Sequence, residues 1–392
     1  MGKQYQSGVS EMAGHTFECS CGHIHHIPIQ SIFIGKEALP KLCGMLTSFS
    51  SKQVYLVGDE NTMALGRDAV HAHLIAKGCA VQEVTFPCEQ GQHLVTNEQL
   101  IGSMLTRMRP DTSLIVAIGS GTMNDVTRVI SARCNIPYII VATAPSMDGY
   151  ASVTSAVVMD GSKKSIPLTT PYGIVGDVSL IKTAPDHMLA AGAGDILGKY
   201  VALRDWQLAQ RETGEYYCPY IAQLVLSTAE NCALDLPLLF DRDEPVLHRM
   251  MESLVMAGLA ICMYGTSRPA AGLEHQIAHY FEVAAIKAGT NMCLHGNYVG
   301  FGTLMACRLY EMAVQEYDLP SGKSFPTSKQ MAGYLKQLKG CSSLHHLGIT
   351  RELFREGILH AAHPEIRYTL ASYLGRLGRI DDYADRLTAE FF

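Results

Sequence analysis

Three segments in the second half of the sequence hold residue types that bind divalent metals. Asp195 follows small residues in "AGAGDILGKY", and His295 precedes a glycine in "CLHGNYVGFG". Between them, "LEHQIAHYFE" places His275 and His279 four positions apart, on one face of a helix. Oxygen and imidazole donors without thiolate suit a metal that keeps an open position for substrate. Each segment alone is better explained by a helix cap or an ordinary histidine pair, so the predicted Lewis-acid site depends on their combination.

A second group of metal-binding residue types lies near the start, in "CSCGHIHHIP". Its potential ligands are Cys19, Cys21, His23, His25 and His26. Structural zinc is usually bound by two ligand pairs separated by a longer loop, and no second pair follows nearby in the sequence. We therefore expect the Cys/His-rich segment 15–30 to form a surface β-hairpin or an edge strand. Incidental metal binding stays open as the weaker alternative.

Two loops in the first half have the composition of ligand-binding turns. In "AIGSGTMNDV", Gly119 and Gly121 lie between an apolar run and a helix start, where backbone N–H groups and the helix dipole favour a pyrophosphate. Asn124 replaces the third glycine of the dinucleotide fingerprint, so a simple tight turn explains this segment equally well. In "TAPSMDGYAS", Asp148 follows another apolar run, at the sheet edge where ligands collect, although a capped turn also explains it.

The elements that must position these residues differ between the two halves of the chain. From about residue 53 to 177, short apolar runs such as "SLIVAI" and "YIIVA" alternate with amphipathic stretches, which predicts a parallel sheet covered by helices. After that the periodicity is helical. We expect an α/β nucleotide-binding domain over residues 1–184 and an all-α domain, binding metal and substrate, over residues 185–392.

Composition excludes several classes of protein. The net charge of −6, with lysines and arginines scattered along the chain, provides no basic patch for nucleic acid. The start lacks the apolar core of a signal peptide, and the longest apolar run, "LVMAGLAICMY", is too short to span a bilayer. Twelve cysteines in a chain of 392 residues do not resemble a small disulfide framework. We expect a cytoplasmic protein with reduced thiols and no membrane span.

Five motifs together resemble one family. "GSGTMNDV", "TAPSMDGYAS", "GAGDILGKY", "EHQIAHYFE" and "LHGNYVGFGTL", in this order and spacing, are similar to those of sn-glycerol-1-phosphate dehydrogenases, within the iron-type alcohol dehydrogenase and dehydroquinate synthase-like superfamily. The resemblance covers most of the chain. It implies a nucleotide-binding α/β domain, a helical domain and an active site in the cleft between them. Leu273 departs from the small hydroxyl residue that relatives often carry there, which affects the expected substrate contacts.

The resemblance also implies roles for individual residues. Asp195, His275 and His295 would bind one divalent metal ion, zinc or nickel. Asp148 and His279 would be catalytic and, with Asp195, contact the substrate. The cofactor, NAD or NADP, would contact Asp59, Gly119, Ser120, Gly121, Thr122, Met123, Thr143, Ala144, Pro145, Ser146 and Ser152, with Asp59 or its neighbours near the adenosine end.

The reaction implied is the interconversion of dihydroxyacetone phosphate and sn-glycerol 1-phosphate. The metal would stabilise the developing alkoxide, and His279 or a water held by it would deliver the proton, a role that suits imidazole because its pKa lies near neutrality. The substrate phosphate needs a cation, and the nearest candidates in sequence are Lys163, Lys164, Lys199 and Arg268. A polyol dehydrogenase, a dehydroquinate synthase-like lyase and a non-catalytic sensor are the alternatives. The family resemblance further suggests a homodimer or a larger closed assembly.

Overall fold

A six-strand parallel sheet forms the centre of the first half of the chain. The computed structural model describes residues 8–88, 94–290, 293–339, 343–363 and 367–392. The strands are β1 (Thr16–Glu18), β2 (Ile24–His26), β3 (Ser31–Gly35), β4 (Gln53–Asp59), β5 (Ala80–Phe86), β6 (Thr112–Gly119), β7 (Tyr138–Ala142), β8 (Thr154–Met159), β9 (Ser162–Pro167) and β10 (Gly173–Asp177). The large sheet has the order β3-β10-β7-β6-β4-β5.

The central strands confirm the prediction from their apolar runs. β7 is buried along its whole length, and β6 from Leu114 onward. Because both faces of such a strand are covered, the sequence shows no alternation of polar and apolar residues. The neighbours β4, β6 and β7 run parallel, so the loops that follow them leave the same edge of the sheet. This edge gathers the two loops that the sequence analysis singled out.

Helices cover the sheet and build the second half. They are α1 (Leu42–Met45), α2 (Glu60–Ala76), α3 (Glu98–Arg107), α4 (Gly121–Cys134), α5 (Val178–Ile181), α6 (Asp186–Leu197), α7 (Lys199–Thr213), α8 (Pro219–Leu239), α9 (Glu244–Tyr264), α10 (Leu273–Ala288), α11 (His295–Ala313), α12 (Ser328–Gln337), α13 (Arg351–His360), α14 (Leu370–Arg376) and α15 (Ile380–Phe391). Helix α9 has the length and apolar composition of a membrane span, but 72% of its apolar window is buried against the rest of the protein, as in a core helix.

Two hairpins lie outside the large sheet. Strands β1 and β2 pair antiparallel, as expected for segment 15–30. Strands β8 and β9 form a second antiparallel hairpin, and β9 packs against α10. The sequence analysis did not predict this second hairpin, which carries Lys163 to Glu282 of α10.

Glycines allow α6 to lie close to the loop after β7 and to α11. A Cβ atom on Gly192 would lie 1.9 Å from the carbonyl oxygen of Pro145, in the loop after β7. A Cβ atom on Gly296 would lie 1.7 Å from the carbonyl oxygen of Ala191. Any side chain at either position would force the backbones apart. The small residues around Asp195 therefore serve to bring that carboxylate against the loop after β7 and against α11.

Candidate functional site

The predicted ligands Asp195, His275 and His295 come together in the structure. One ligand atom from each of them lies within 4.8 Å of the other two. They sit near the end of α6, in the first turn of α10 and at the first residue of α11. Asp195 and His275 are buried, and His295 is partly buried. We call these three residues the Asp-His-His cluster.

Carboxylates orient both imidazoles of the cluster. Nδ1 of His275 lies 2.7 Å from Oε1 of Glu274, and Nδ1 of His295 lies 3.1 Å from Oε1 of Glu282. Since a carboxylate holds the proton on Nδ1, Nε2 of each ring keeps a lone pair, and Nε2 of His275 is 3.6 Å from Oδ1 of Asp195. Such carboxylate partners are usual behind histidine ligands of metals. The sequence analysis missed both glutamates, although they flank the histidines in "LEHQIAHYFE".

A buried lysine links Asp195 to the loop after β7. Nζ of Lys199 lies 2.8 Å from Oδ1 of Asp195 and 2.6 Å from Oδ2 of Asp148. The backbone N–H of Asp148 also donates to Oδ2 of Asp195, at 3.0 Å. Burial by itself would raise the pKa of Asp195, but the ammonium of Lys199 and the nearby histidines hold this pKa well below its ordinary value. Asp195 is therefore a carboxylate anion, already hydrogen-bonded to the backbone of Asp148.

His279 lies beside the cluster and is neutral. Its ring centroid is 6.0 Å from that of His275 and 5.5 Å from that of His295. Burial, and then the charge of Lys163, lower the pKa of His279 well below its ordinary value. The imidazole pKa near neutrality expected from the sequence is thus wrong, because the ordinary value of a free imidazole does not apply to a desolvated ring near Lys163. A ring nitrogen of neutral His279 can therefore accept a proton, but the ring carries no additional proton to donate.

The donor set fits a divalent cation. One carboxylate and two imidazoles with carboxylate partners form a three-ligand set of the type found at open catalytic sites. A carboxylate has about four lone-pair positions, so the contacts of Asp195 with Lys199 and Asp148 leave room for a metal bond. The three ligands include no thiolate, which leaves zinc and nickel equally acceptable.

The four candidate cations for the substrate phosphate occupy different environments. Lys199 is fully buried between two aspartates, and Arg268 is buried against Glu215. Lys164 is half exposed and faces Asp160 at 3.7 Å. Lys163 is 16% exposed, and its Nζ lies 2.8 Å from Oε1 of Glu282, beside the Asp-His-His cluster.

The predicted cofactor loops meet at the carboxyl edge of the sheet. The N–H of Thr143, after β7, donates to the carbonyl of Gly119 at 3.1 Å. Ser120 is the N-cap of α4 without a side-chain cap bond, so N–H groups of the first turn stay available to an anion. Asn124 replaces the third fingerprint glycine because its amide donates to the carbonyl of Gly149, which ties α4 to the loop that carries Asp148.

The remaining predicted cofactor residues have more varied settings. Gly121, Thr122 and Met123 form the first turn of α4. Ala144, Pro145 and Ser146 continue the loop after β7. Asp59 ends β4 and caps α2 by accepting from the N–H of Thr62, so part of its carboxylate is engaged. Ser152 is buried and its hydroxyl accepts from the N–H of Thr154.

Comparison with known proteins gives a consistent result. The family described as iron-containing alcohol dehydrogenase matches residues 33–185. A glycerol-1-phosphate dehydrogenase [NAD(P)+] from Bacillus licheniformis is 30% identical over 378 residues, which cover 92% of each chain. A protein of the same name from Thermococcus kodakarensis is 32% identical over 377 residues, covering 93% of this chain and 96% of the relative.

Solved structures share the fold at low sequence identity. Glycerol dehydrogenase from Schizosaccharomyces pombe superimposes with a TM-score of 0.67 at 19% identity, over 92% of this chain and 90% of that one. Sulfoacetaldehyde reductase from Bifidobacterium kashiwanohense, in complex with NAD+, gives a TM-score of 0.70 at 14% identity, over 94% and 97%. These similarities confirm the predicted combination of an α/β domain and a helical domain.

Proposed function

The chain belongs to the glycerol-1-phosphate dehydrogenase family, and from that premise we propose that it interconverts dihydroxyacetone phosphate and sn-glycerol 1-phosphate with NAD or NADP. One observation carries the proposal. The Asp-His-His cluster directly adjoins the loop after β7, through the bond from Asp148 N–H to Asp195. A nicotinamide placed by the loops after β6 and β7 would therefore lie beside a substrate carbonyl at the cluster.

The metal site would supply the electrophile. A divalent cation held by Asp195, His275 and His295 would polarise the carbonyl and stabilise the alkoxide that forms on hydride transfer. Glu274 and Glu282 fix the two imidazoles, so that little reorganisation accompanies binding. Lys199 holds Asp195 and Asp148 in one arrangement, and it offsets the charge of the two buried carboxylates.

His279 is the proposed proton carrier. Because its ring is neutral, a ring nitrogen accepts the hydroxyl proton when the alcohol is oxidised. In ketone reduction the same nitrogen returns a proton taken from solvent. Asp148 contributes by binding Lys199 through its carboxylate, which lies next to the reacting groups. This role does not require Asp148 to donate a proton.

Lys163 is the proposed cation for the substrate phosphate. Of the four candidates, Lys163 alone combines partial exposure with a position next to the cluster, through Glu282. Lys199 and Arg268 have no accessible charge, and the pair of Lys164 with Asp160 faces solvent. The β8–β9 hairpin therefore has a role in substrate selection.

The test is nicotinamide absorbance with metal-reconstituted protein, comparing dihydroxyacetone phosphate with dihydroxyacetone. We expect rapid oxidation of the reduced cofactor with the phosphorylated ketone only, and a product of sn-glycerol 1-phosphate configuration. Turnover with free glycerol instead would indicate a polyol dehydrogenase. Absence of net cofactor oxidation would leave a lyase or a sensor.

The cellular setting is part of the same proposal. The family resemblance supports a cytoplasmic enzyme that assembles as a homodimer or a larger closed oligomer. Light scattering of the purified protein measures the mass of the assembly directly. A monomer at working concentration contradicts this part of the proposal and leaves the reaction unaffected.

A further inference from the structure

A second cluster of metal-binding side chains forms where the N-terminal hairpin meets the helical half. Cys19 and Cys21 lie in the turn between β1 and β2, and His25 lies on β2. Cys218 joins them from the position just before α8, 193 residues beyond His25 in sequence. Their four ligand atoms all lie within 4.8 Å of one another. We call these four residues the Cys-His cluster.

The distances within this cluster match those around a tetrahedral zinc ion. Bonds of about 2.3 Å to sulfur and about 2.0 Å to nitrogen place two sulfur ligands about 3.8 Å apart, and a sulfur and a nitrogen about 3.6 Å apart. The Sγ atoms of Cys19 and Cys218 are 3.8 Å apart. Nε2 of His25 lies 3.6 Å from Sγ of Cys21 and 3.4 Å from Sγ of Cys218. Three separate edges of the tetrahedron are thus preformed.

The histidine is held in the tautomer that a metal requires. Nδ1 of His25 lies 3.2 Å from the carbonyl oxygen of Met263. A carbonyl only accepts hydrogen bonds, so the proton sits on Nδ1 and the lone pair on Nε2 points to the cysteines. A backbone carbonyl behind the second nitrogen is a usual partner of a metal-binding imidazole. His25 is buried, so this orientation is fixed by its surroundings.

Hydrogen-bond donors surround the sulfur atoms. The hydroxyl of Tyr216 lies 2.9 Å from Sγ of Cys21. The N–H of Ile221, in the first turn of α8, donates to Sγ of Cys218 at 3.5 Å. Three thiolates and one divalent ion carry a net charge of about −1, and a helix N-terminus with nearby N–H and O–H donors stabilises such a charge.

The hairpin is also short enough to be stabilised by an additional attachment. Its strands are three residues each, and an isolated two-strand hairpin is marginally stable in water. Its turn contacts Cys218 through Cys19, and His25 on β2 contacts the carbonyl of Met263, so both contacts join the hairpin to elements that are distant in sequence. A metal that joins these parts closes a very long loop, which is where a cross-link restricts the unfolded chain most.

We propose that Cys19, Cys21, His25 and Cys218 bind a structural zinc ion that fastens the N-terminal hairpin to the start of α8. Four protein ligands complete the tetrahedron and leave no position for substrate, so this site serves stability and not turnover. The expected hairpin is confirmed, and its sequence gives no sign of Cys218 because that residue lies far along the chain.

A disulfide between Cys19 and Cys218 is the competing use of these cysteines. Its sulfur atoms would be about 2.05 Å apart, whereas here they are 3.8 Å apart. A disulfide would also leave Cys21 and His25 without a reason to converge. Peptide mapping of the native protein under non-reducing conditions distinguishes the two uses, and a Cys19–Cys218 disulfide there overturns the zinc proposal.

Zinc content measured on a double variant isolates the site. His275→Ala with His295→Ala removes two ligands of the Asp-His-His cluster and also breaks the neighbouring group of His279, Glu282 and His295, so any zinc that stays bound belongs elsewhere. We expect about one zinc per chain in this double variant, and almost none once Cys21→Ser is added to it. Cys43→Ser, at a partly buried cysteine of α1, is the matched control and leaves the zinc content unchanged. A double variant that binds no zinc overturns the proposal.

X-ray absorption at the zinc edge keeps the proposal testable even where the cysteine variant does not fold. The same double variant should show about three sulfur atoms at about 2.3 Å and one nitrogen at about 2.0 Å. A shell of nitrogen and oxygen only contradicts the assignment. Neither measurement uses turnover, so failure of the zinc site and failure of the proposed dehydrogenase activity are distinguishable.

Discussion

The Asp-His-His cluster and the Cys-His cluster both bring metal-binding side chains together, but they differ in the number and the type of those side chains. The first has three potential ligands, which come from the ends of α6, α10 and α11, and it lies next to the predicted cofactor loops. The second has four ligands, taken from a short hairpin and a helix start. Three ligands leave a coordination position for a substrate oxygen, whereas four close the site. On the two proposals made above, ligand number thus separates a reaction centre from a structural metal site within one chain.

The hydrogen-bond partners of the histidine Nδ1 atoms also differ between the two clusters. In the Asp-His-His cluster, Glu274 and Glu282 stand behind the two imidazoles, whereas in the Cys-His cluster a backbone carbonyl stands behind His25. A carboxylate makes the imidazole more basic and adds charge near the metal, while a carbonyl mainly fixes the tautomer. We therefore expect changes in the first cluster to affect rate, and changes in the second to affect stability.

Removing a ligand of the Asp-His-His cluster is the strongest test of this contrast. His275→Ala should lower kcat/KM by on the order of 10³-fold or more, because several kcal/mol of alkoxide stabilisation depend on the metal. Asp195→Ala and His295→Ala should do the same. Metal content and steady-state rate of each protein, measured on one preparation, check this prediction.

The loss of metal and the loss of activity should occur together. A variant that keeps full activity removes its residue from the ligand set. Cys43→Ser serves as the control for handling and reconstitution, since Cys43 lies in α1, away from both clusters in sequence. The unfolding temperature of His275→Ala should change less than that of a cysteine variant in the Cys-His cluster.

Cys218→Ser tests the expected effect of the Cys-His cluster on stability. Losing a zinc ligand should destabilise the protein by at least about 3 kcal/mol, since loss of a structural metal belongs to the most damaging single changes. For a chain of this size that lowers Tm by about 6 °C. At 25 °C, the folded protein should keep kcat within about twofold. A kcat loss as large as that of His275→Ala would show that the two clusters are not independent.

Sequence reasoning found the elements whose signals are local. The apolar runs "SLIVAI" and "YIIVA" predict central strands because burial on both faces leaves no polar positions, and β6 and β7 confirm this. The set of Asp195, His275 and His295 followed from five motifs in register. The structure brings these three residues together.

The missed features depend on distance along the chain or on surroundings. Cys218 could not be paired with Cys19 because 199 residues separate them. In the sequence, Glu282 resembles an ordinary charge on a helix surface, because the contact with His295 forms only when α11 packs against α10. From the sequence, Lys163 and Lys164 are both expected to be solvated surface charges. Because successive side chains of a strand point to opposite faces, β9 places Lys163 against Glu282 and Lys164 near Asp160.

These neighbouring lysines provide a matched pair for the substrate phosphate. Lys163→Gln should raise KM for dihydroxyacetone phosphate by about 10- to 100-fold, because a hydrogen bond to a charged group contributes about 1.5–3 kcal/mol. Activity with dihydroxyacetone, which lacks the phosphate, should change little. Lys164→Gln, half exposed one position away, is the control and should leave both KM values unchanged. Equal losses with both ketones would place Lys163 in support of Glu282 instead.

The smallest expected effect concerns the pH dependence of alcohol oxidation, and it links Lys163 to His279. The neutral ring accepts the proton, so activity falls as pH drops through the pKa of His279. Burial, and then the charge of Lys163, lower this pKa well below its ordinary value, so the acid limb of kcat/KM should lie well below pH 6.5. Lys163→Gln removes a positive charge and should move that limb to higher pH, whereas Lys164→Gln should not move it. Profiles of both variants that coincide with the unmodified enzyme would exclude His279 as the group that titrates, because the charge of Lys163 would then have no influence on the proton transfer.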